Sequence, residues 1–248
     1  MNEQIKIDFE KTFKTSGLSE TDVNLKKKFL DKFILNGFPN RKLENWKFSD
    51  INQIIHKNIG DLSFFSDYSS SNKIDTSVFI DGLEHNKIVF INGRVEKIDF
   101  SYEDDDKIKL NETSETESEI KSFNSLVDLN NAFSSKIYKI SIKKDYHLKK
   151  PLVIYHTTNN KIKSKSISIR LKFELDQNSS LRLIDYLNYN SEKNFINIFY
   201  DFDLKKDSIL KNYKIDNNLN KNIGYLFNNI NQDENSISEN FILSCGSS

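Results

Sequence analysis

With a single cysteine, Cys245, in 248 residues, no intrachain disulfide can form. Seven glycines spread over the chain leave no room for a phosphate-cradling glycine loop. No apolar run reaches the roughly 18 residues that a membrane-spanning helix needs. The stretch from Met1 to Lys14 alternates charged and apolar residues, so it lacks the uninterrupted apolar core of a secretion signal. Charge of either sign is not in surplus: 36 basic residues balance 36 acidic ones, and no basic face is concentrated anywhere. Phosphate contacts dominate nucleic-acid affinity, so a nucleic-acid binder would show such a surplus. These shortages point to a cytoplasmic chain that binds neither nucleic acid nor membrane.

Catalytic signatures are equally scarce. Neither a Gly-x-Ser-x-Gly elbow nor a His-Glu-x-x-His pair is present. His56, His85, His147 and His156 occur singly, without metal-ligand spacing to one another or to Cys245. Asp104-Asp105-Asp106 is a charge run in a polar stretch and reads as solvated rather than as a cation site. The expectation is a non-enzyme with no catalytic, cofactor-binding or metal-binding residue.

Hydrophobic residues make up 37% of the chain and charged residues 29%, enough for a packed core in one large domain or two smaller ones. The front of the chain reads as helical. Ser19 and Asp22 have the spacing of an N-terminal capping box, and Leu25, Phe29, Leu30, Phe33 and Ile34 follow at helical spacing. Gly37 and Pro39 close that helix. A second, short helix covers Ser49 to His56 with Ile51, Ile54 and Ile55 inward, and Ser66 to Asn72 is a polar loop. Ile88 to Ile91 runs into Asn92-Gly93 and returns through Arg94 to Phe100, the signal of a tight hairpin. Two acidic stretches, Ser101 to Asp106 and Asn111 to Glu119, read as a mobile surface linker.

From about Phe123 the pattern turns to strands. Ile140, Ile142 and Leu152 to Tyr155 flank a turn that ends at Pro151. Ile167, Ile169, Leu171, Phe173 and Leu175 alternate on one strand face, and Ile196, Ile198, Tyr200, Phe202 and Leu204 repeat them 29 residues later. Tyr225 and Phe227 begin a third copy at the same period. Ser180-Leu181, Ser208-Ile209 and Ser236-Ile237 recur every 28 residues on an interleaved strand. Two strands per 28–29 residues, with no helix between them, predict a stacked β-solenoid in which each coil buries its apolar face against its neighbours. Ile167, Ile196 and Tyr225 would then share one column, and Ile169, Ile198 and Phe227 the next. An antiparallel sandwich of evenly long hairpins is the alternative.

Phe241 to Cys245 is itself strand-like, and no capping helix follows. A solenoid end left open exposes apolar stubs and unpaired backbone. The expectation is that the chain is truncated, or that another chain covers this end. Cys245 reads as a small core residue at a strand end.

Three motifs then stand out. Pro39-Asn40-Arg41-Lys42-Leu43-Glu44-Asn45-Trp46-Lys47-Phe48-Ser49-Asp50 holds the chain's one Trp; structurally, Trp46 and Phe48 would dock the N-terminal helices while Arg41 pairs with a carboxylate. Together with Ile88 to Arg94, ending in Asn-Gly-Arg, and Leu129-Asn130-Asn131-Ala132-Phe133 followed by Leu148 to Ile154, it resembles the SufB/SufD family of iron–sulfur cluster assembly proteins, the SufD branch in particular. Lys136-Ile137 stands where the family has Asp-Gly, and Lys143 where it has a proline.

The resemblance implies an α+β, mainly β fold: an N-terminal helical region with a hairpin (1–100), an acidic linker (101–122) and a right-handed parallel β-helix (123–248) open at its C-terminal end. It implies a non-catalytic scaffold that pairs with SufB through the β-helices and with the ATPase SufC through a C-terminal domain this sequence does not contain. An iron–sulfur cluster would be held transiently at the SufB–SufD interface, with no cofactor in this chain. The SufB paralogue and an unrelated binding or polysaccharide-acting solenoid remain as alternatives; the last would need clustered carboxylates, whereas the repeats offer only isolated acids such as Asp185, Asp201 and Asp203.

Overall fold

The computed structural model describes residues 2–14, 16–65, 77, 79–113, 122–134, 136–159, 162–217 and 222–244. Three helices come first: α1 (Asn2–Lys14), α2 (Glu20–Asn36) and α3 (Ile51–Asn58). Ser19 caps α2 by accepting from the Asp22 amide at 3.1 Å, while its hydroxyl donates to the Asp22 carboxylate. Gly37, at φ 69°, ends the helix in a conformation that a Cβ would strain. The short helix α3 starts from Asp50, whose carboxylate accepts from the Gln53 amide.

Among the described residues, eleven strands wind into two facing sheets. In chain order they are β1 (Asn86–Ile91), β2 (Arg94–Asp99), β3 (Ile108–Thr113), β4 (Ile137–Ile142), β5 (Leu152–Thr157), β6 (Ser166–Leu175), β7 (Ser180–Leu187), β8 (Phe195–Leu204), β9 (Ile209–Asp216), β10 (Ile223–Gln232) and β11 (Ile237–Ser244). One sheet runs β11-β9-β7-β5-β1-β2 and the other β10-β8-β6-β4-β3. Every pairing from β4 onward is parallel, so successive strands alternate between sheets and the backbone coils about four times. The expected stacked solenoid is therefore the observed architecture, and the antiparallel sandwich is not. Ile167 lies opposite Ile196, Ile169 opposite Ile198 and Phe173 opposite Phe202, the predicted columns. Between the sheets these side chains form one continuous apolar core.

The third copy of the repeat is a correction. Coil length falls from 29 residues (Phe195 opposite Ser166) to 28 (Ile223 opposite Phe195), so Ile196 faces Gly224 and Ile198 faces Leu226. Tyr225 and Phe227, expected in the inner columns, lie opposite Asn197 and Phe199 on the outer face. A shift of one residue turns every side chain of a strand to the other side. What holds the aromatics outside is packing there: Trp46 lies 5.9 Å from Tyr225, and Phe123 lies 5.0 Å from Phe227. The serine repeat slips similarly, since Ser180 pairs with Ile209 rather than Ser208.

Two further expectations change. The hairpin placed with the N-terminal region belongs to the solenoid: β1 runs parallel to β5, and β2 closes that sheet antiparallel to β1. Within the stretch expected to be a mobile linker, β3 closes the other sheet antiparallel to β4. Glu103 anchors the same stretch by accepting from Asn86 Nδ2, Tyr146 Oη and the amides of Lys149 and Lys150. Burial alone would raise the Glu103 carboxyl, but these four donors outweigh it and hold it below its ordinary value. Residues 114–121 of the linker and the loop from Ser66 to Asn72 lie outside the described residues.

Strands also do not begin at Phe123. A helix, α4 (Ser125–Phe133), intervenes and carries the Leu-Asn-x-Ala-Phe motif. It is wedged between α2 and the outer face of β6 and β8, which buries Leu126 through Phe133 entirely. Asn130 Nδ2 donates to the carbonyls of Ile169 and Asn197, and Asn197 Nδ2 returns a bond to the carbonyl of Leu126. Arg170 donates to Asn131 Oδ1 at 2.9 Å. From above, the Lys26 ammonium on α2 donates to the carbonyl of Ser134 at 2.5 Å, satisfying an end of α4 that has no intrahelical partner. Lys26 is partly exposed as a residue, yet its ammonium is desolvated; burial, assisted by the charge of Arg170 and opposed by Asp22, lowers it from 10.5 to about 7.

The Asn92-Gly93 turn has φ of 52° and 82°, as expected of a two-residue hairpin turn. A Cβ at Gly93 would lie 2.8 Å from Ile167 Cγ2, because the turn folds against β6. Gly93→Ala should therefore lower the unfolding free energy by about 1–3 kcal/mol in denaturant titration, combining backbone strain with that contact.

Lys26 makes stability pH-dependent in a defined window. Between pH 7 and 10.5 the unfolded chain keeps a proton on this residue that the folded chain has released, so stability rises with pH across the window and is flat below it. In Lys26→Met that rise should vanish. Denaturant titrations at about pH 7 and about pH 9.5 should show the stability difference between the two proteins shifting toward wild type at the higher pH.

A candidate assembly edge and a buried polar cluster

Strands β10 and β11 are the outermost described strands on the side of the sheets away from β2 and β3. Among the described residues nothing pairs with the outer edges of β10 and β11. On β11, Ile237, Phe241, Ile242 and Leu243 are all substantially exposed, with Ile242 at 67%. Exposed strand edges of this kind are templates for another strand.

The inner face changes character toward this end. On β7 the inward positions are Leu181, Leu183, Asp185 and Leu187; their register partners on β9 are Leu210, Asn212, Lys214 and Asp216. On β11 the series continues as Ser238, Asn240, Ile242 and Ser244. Asn212 Nδ2 donates to Asn240 Oδ1 at 3.1 Å, starting an asparagine ladder along the coil axis. At the corner between the sheets, Asn178 donates to Asp145 and Asn235 to Asp207, all four residues having positive φ. A strand added here would meet a surface of amide groups and short apolar side chains rather than a purely greasy one.

Deeper in the core lies a polar group that the sequence reading did not assemble. His156 on β5, Asp185 on β7 and Tyr200 on β8 all point between the sheets and are at most 1% exposed. His156 Nε2 lies 2.6 Å from Tyr200 Oη and 3.0 Å from Asp185 Oδ1, and Tyr200 Oη donates to Asp185 Oδ1 at 2.9 Å. With the tyrosine proton directed at the carboxylate, Nε2 is the ring nitrogen that carries hydrogen. Burial, followed by the carboxylate of Asp185, pushes the Tyr200 hydroxyl well above its ordinary range. Phe90 stacks on the His156 ring at 5.2 Å. The signal was present in the sequence: Asp185 interrupts Leu181, Leu183 and Leu187 at an inward position.

The other singled-out residues fall apart in space. His85 is buried against Tyr155, with Nε2 at 2.7 Å from the phenol oxygen, whereas His147 and His56 are exposed. Asp104 pairs with Lys149 and Asp106 with Lys109. Among the described residues no three His, Cys, Asp or Glu converge as metal ligands would. Trp46 docks as expected, but Phe48 is 85% exposed and Arg41 has no carboxylate partner among the described residues, because the loop 40–48 turns outward around Trp46. Cys245 lies outside the described residues. No helix is long and apolar enough to cross a membrane among the described residues. Neither a scan against protein-family models nor a search of curated proteins returns a match to this chain.

The edge predicts self-association that charge can suppress. Sedimentation velocity of this 248-residue chain should show concentration-dependent association, and Ile242→Lys with Leu243→Lys should abolish it. Since both side chains are exposed, unfolding free energy should change by no more than about 0.5 kcal/mol each.

Proposed function

We propose that this chain is a non-catalytic scaffold subunit of the SUF iron–sulfur cluster assembly system, of the SufD kind, working with SufB and the ATPase SufC in the cytoplasm. One observation carries the reading: the three motifs that prompted it each occupy a structural position on a single β-solenoid. Trp46 anchors the N-terminal region on Tyr225 of the last coil. Asn92-Gly93 turns against β6, and Leu129 to Phe133 form the helix that locks onto β6 and β8. A scaffold of this type offers a rigid rod against which the β-helix of a partner such as SufB can pair. The cluster would be cargo held at that junction.

A polysaccharide-acting solenoid is disfavoured by where its carboxylates would have to be. Asp185 is inside the core, Asp201 accepts from Asn229 on the outer face, and Asp203 is paired with Lys205.

Deletion of the gene should lower the activity of iron–sulfur enzymes such as aconitase in cell extracts while their polypeptides remain at normal levels. Activity unchanged by the deletion, under iron limitation as well as in rich medium, would overturn the assignment. Coding regions for SufB and SufC beside this gene would support it.

A further inference from the structure

We infer that the His156–Asp185–Tyr200 cluster sets the register in which the coils of this solenoid stack. The apolar core alone discriminates poorly between registers. On β5 the inward residues before His156 are Leu152 and Ile154; on β7 they are Leu181, Leu183 and, beyond Asp185, Leu187. Sliding β5 against β7 by two residues, so that Val153 comes opposite Tyr186, keeps every side chain on its own face and sets Ile154 opposite Leu187 in place of Asp185. Backbone ladders are equally satisfied after such a slide, because parallel hydrogen bonds recur every two residues.

Corner lengths do not count the register either. Coil offsets run from 33 (Ile137 opposite Arg170) and 31 (Leu152 opposite Leu183) to 29 and then 28. The corners thus already absorb differences of the size that a two-residue slide requires.

The cluster is what a slide would break. Its three members come from three successive coils and from both sheets: His156 and Asp185 from neighbouring strands of one, Tyr200 from the other. A two-residue displacement moves a strand by about 6.6 Å, more than twice any of the cluster's hydrogen-bond lengths. Moving β5 that way carries the His156 imidazole away from both partners and leaves it unpaired in an apolar core, while Asp185 and Tyr200, on β7 and β8, keep only each other. Buried polar groups that fix register at some expense of stability are the best-attested use of such clusters. Lys214, the register partner of Asp185 on β9, is partly exposed toward the open end and has no hydrogen bond to the cluster.

Disulfide trapping tests this directly, in a Cys245→Ser background. Val153→Cys with Ile184→Cys reports the native register, since these residues are opposite. Val153→Cys with Tyr186→Cys reports the two-residue slide, being too far apart natively to bridge. With the cluster intact, only the native pair should crosslink. In His156→Leu/Asp185→Leu/Tyr200→Phe the slid pair should crosslink at least about tenfold more than in the intact protein, while circular dichroism still reports a folded β-protein. Tyr200→Phe alone, which deletes one hydroxyl and keeps the ring, should already raise the slid crosslink above the intact background, and it decides the matter if the triple variant does not fold. Crosslinking confined to the native pair in Tyr200→Phe, and in the triple variant where it folds, overturns the inference.

Discussion

Everything in this structure depends on backbone ladders that run along the coil axis. Each strand from β6 to β9 hydrogen-bonds to the strand one coil before and one coil after, so a residue's neighbours are set by coil length rather than by local turns. The apolar inner face of a coil has no other surface to bury against. That constraint explains the phenylalanine stack of Phe173 on Phe202 at 4.5 Å, and equally the exposure of the final strands, where the ladder has one side only.

Around the rod, the N-terminal segments act as cladding for one face. Parallel sheets bury both faces, and the outer face of β6 and β8 is apolar enough to need cover. The helix α4 supplies it, and α1, α2 and α3 close over α4 through Phe9, Phe33, Phe38 and Phe133. Specificity in this layer is polar: side-chain amides of Asn130 and Asn197 bond to backbone carbonyls across the helix–sheet seam, and the Lys26 ammonium ends the helix. The first coil is shut by antiparallel strands β2 and β3, whose reversed direction stops further parallel addition at that end. Among the described residues, strand direction reverses at one side of the sheets, and at the other side the outermost strands carry asparagine pairs and exposed apolar side chains.

Much of this was legible in the sequence. Alternation of Ile, Leu and Phe at period two, repeated after 28–29 residues, is a direct consequence of strands stacked coil on coil, and it identified the solenoid and the first pair of columns. The capping serine of α2, its terminal glycine and the Asn-Gly hairpin were readable because each is a local conformational requirement. Where the reading failed, the deciding contact was distant. Tyr225 and Phe227 matched the inner columns by period, yet one residue fewer in the coil and the presence of Trp46 and Phe123 turned them outward.

The sequence by itself thus determined the repeat, the helical front and the turn chemistry, because those follow from periodicity and backbone preference within a few residues. Only the tertiary structure decided which sheet the hairpin joined, which face each aromatic took, and that His156, Asp185 and Tyr200 meet. Those three belong to different coils, and proximity between coils is a matter of register, which no local stretch of sequence encodes.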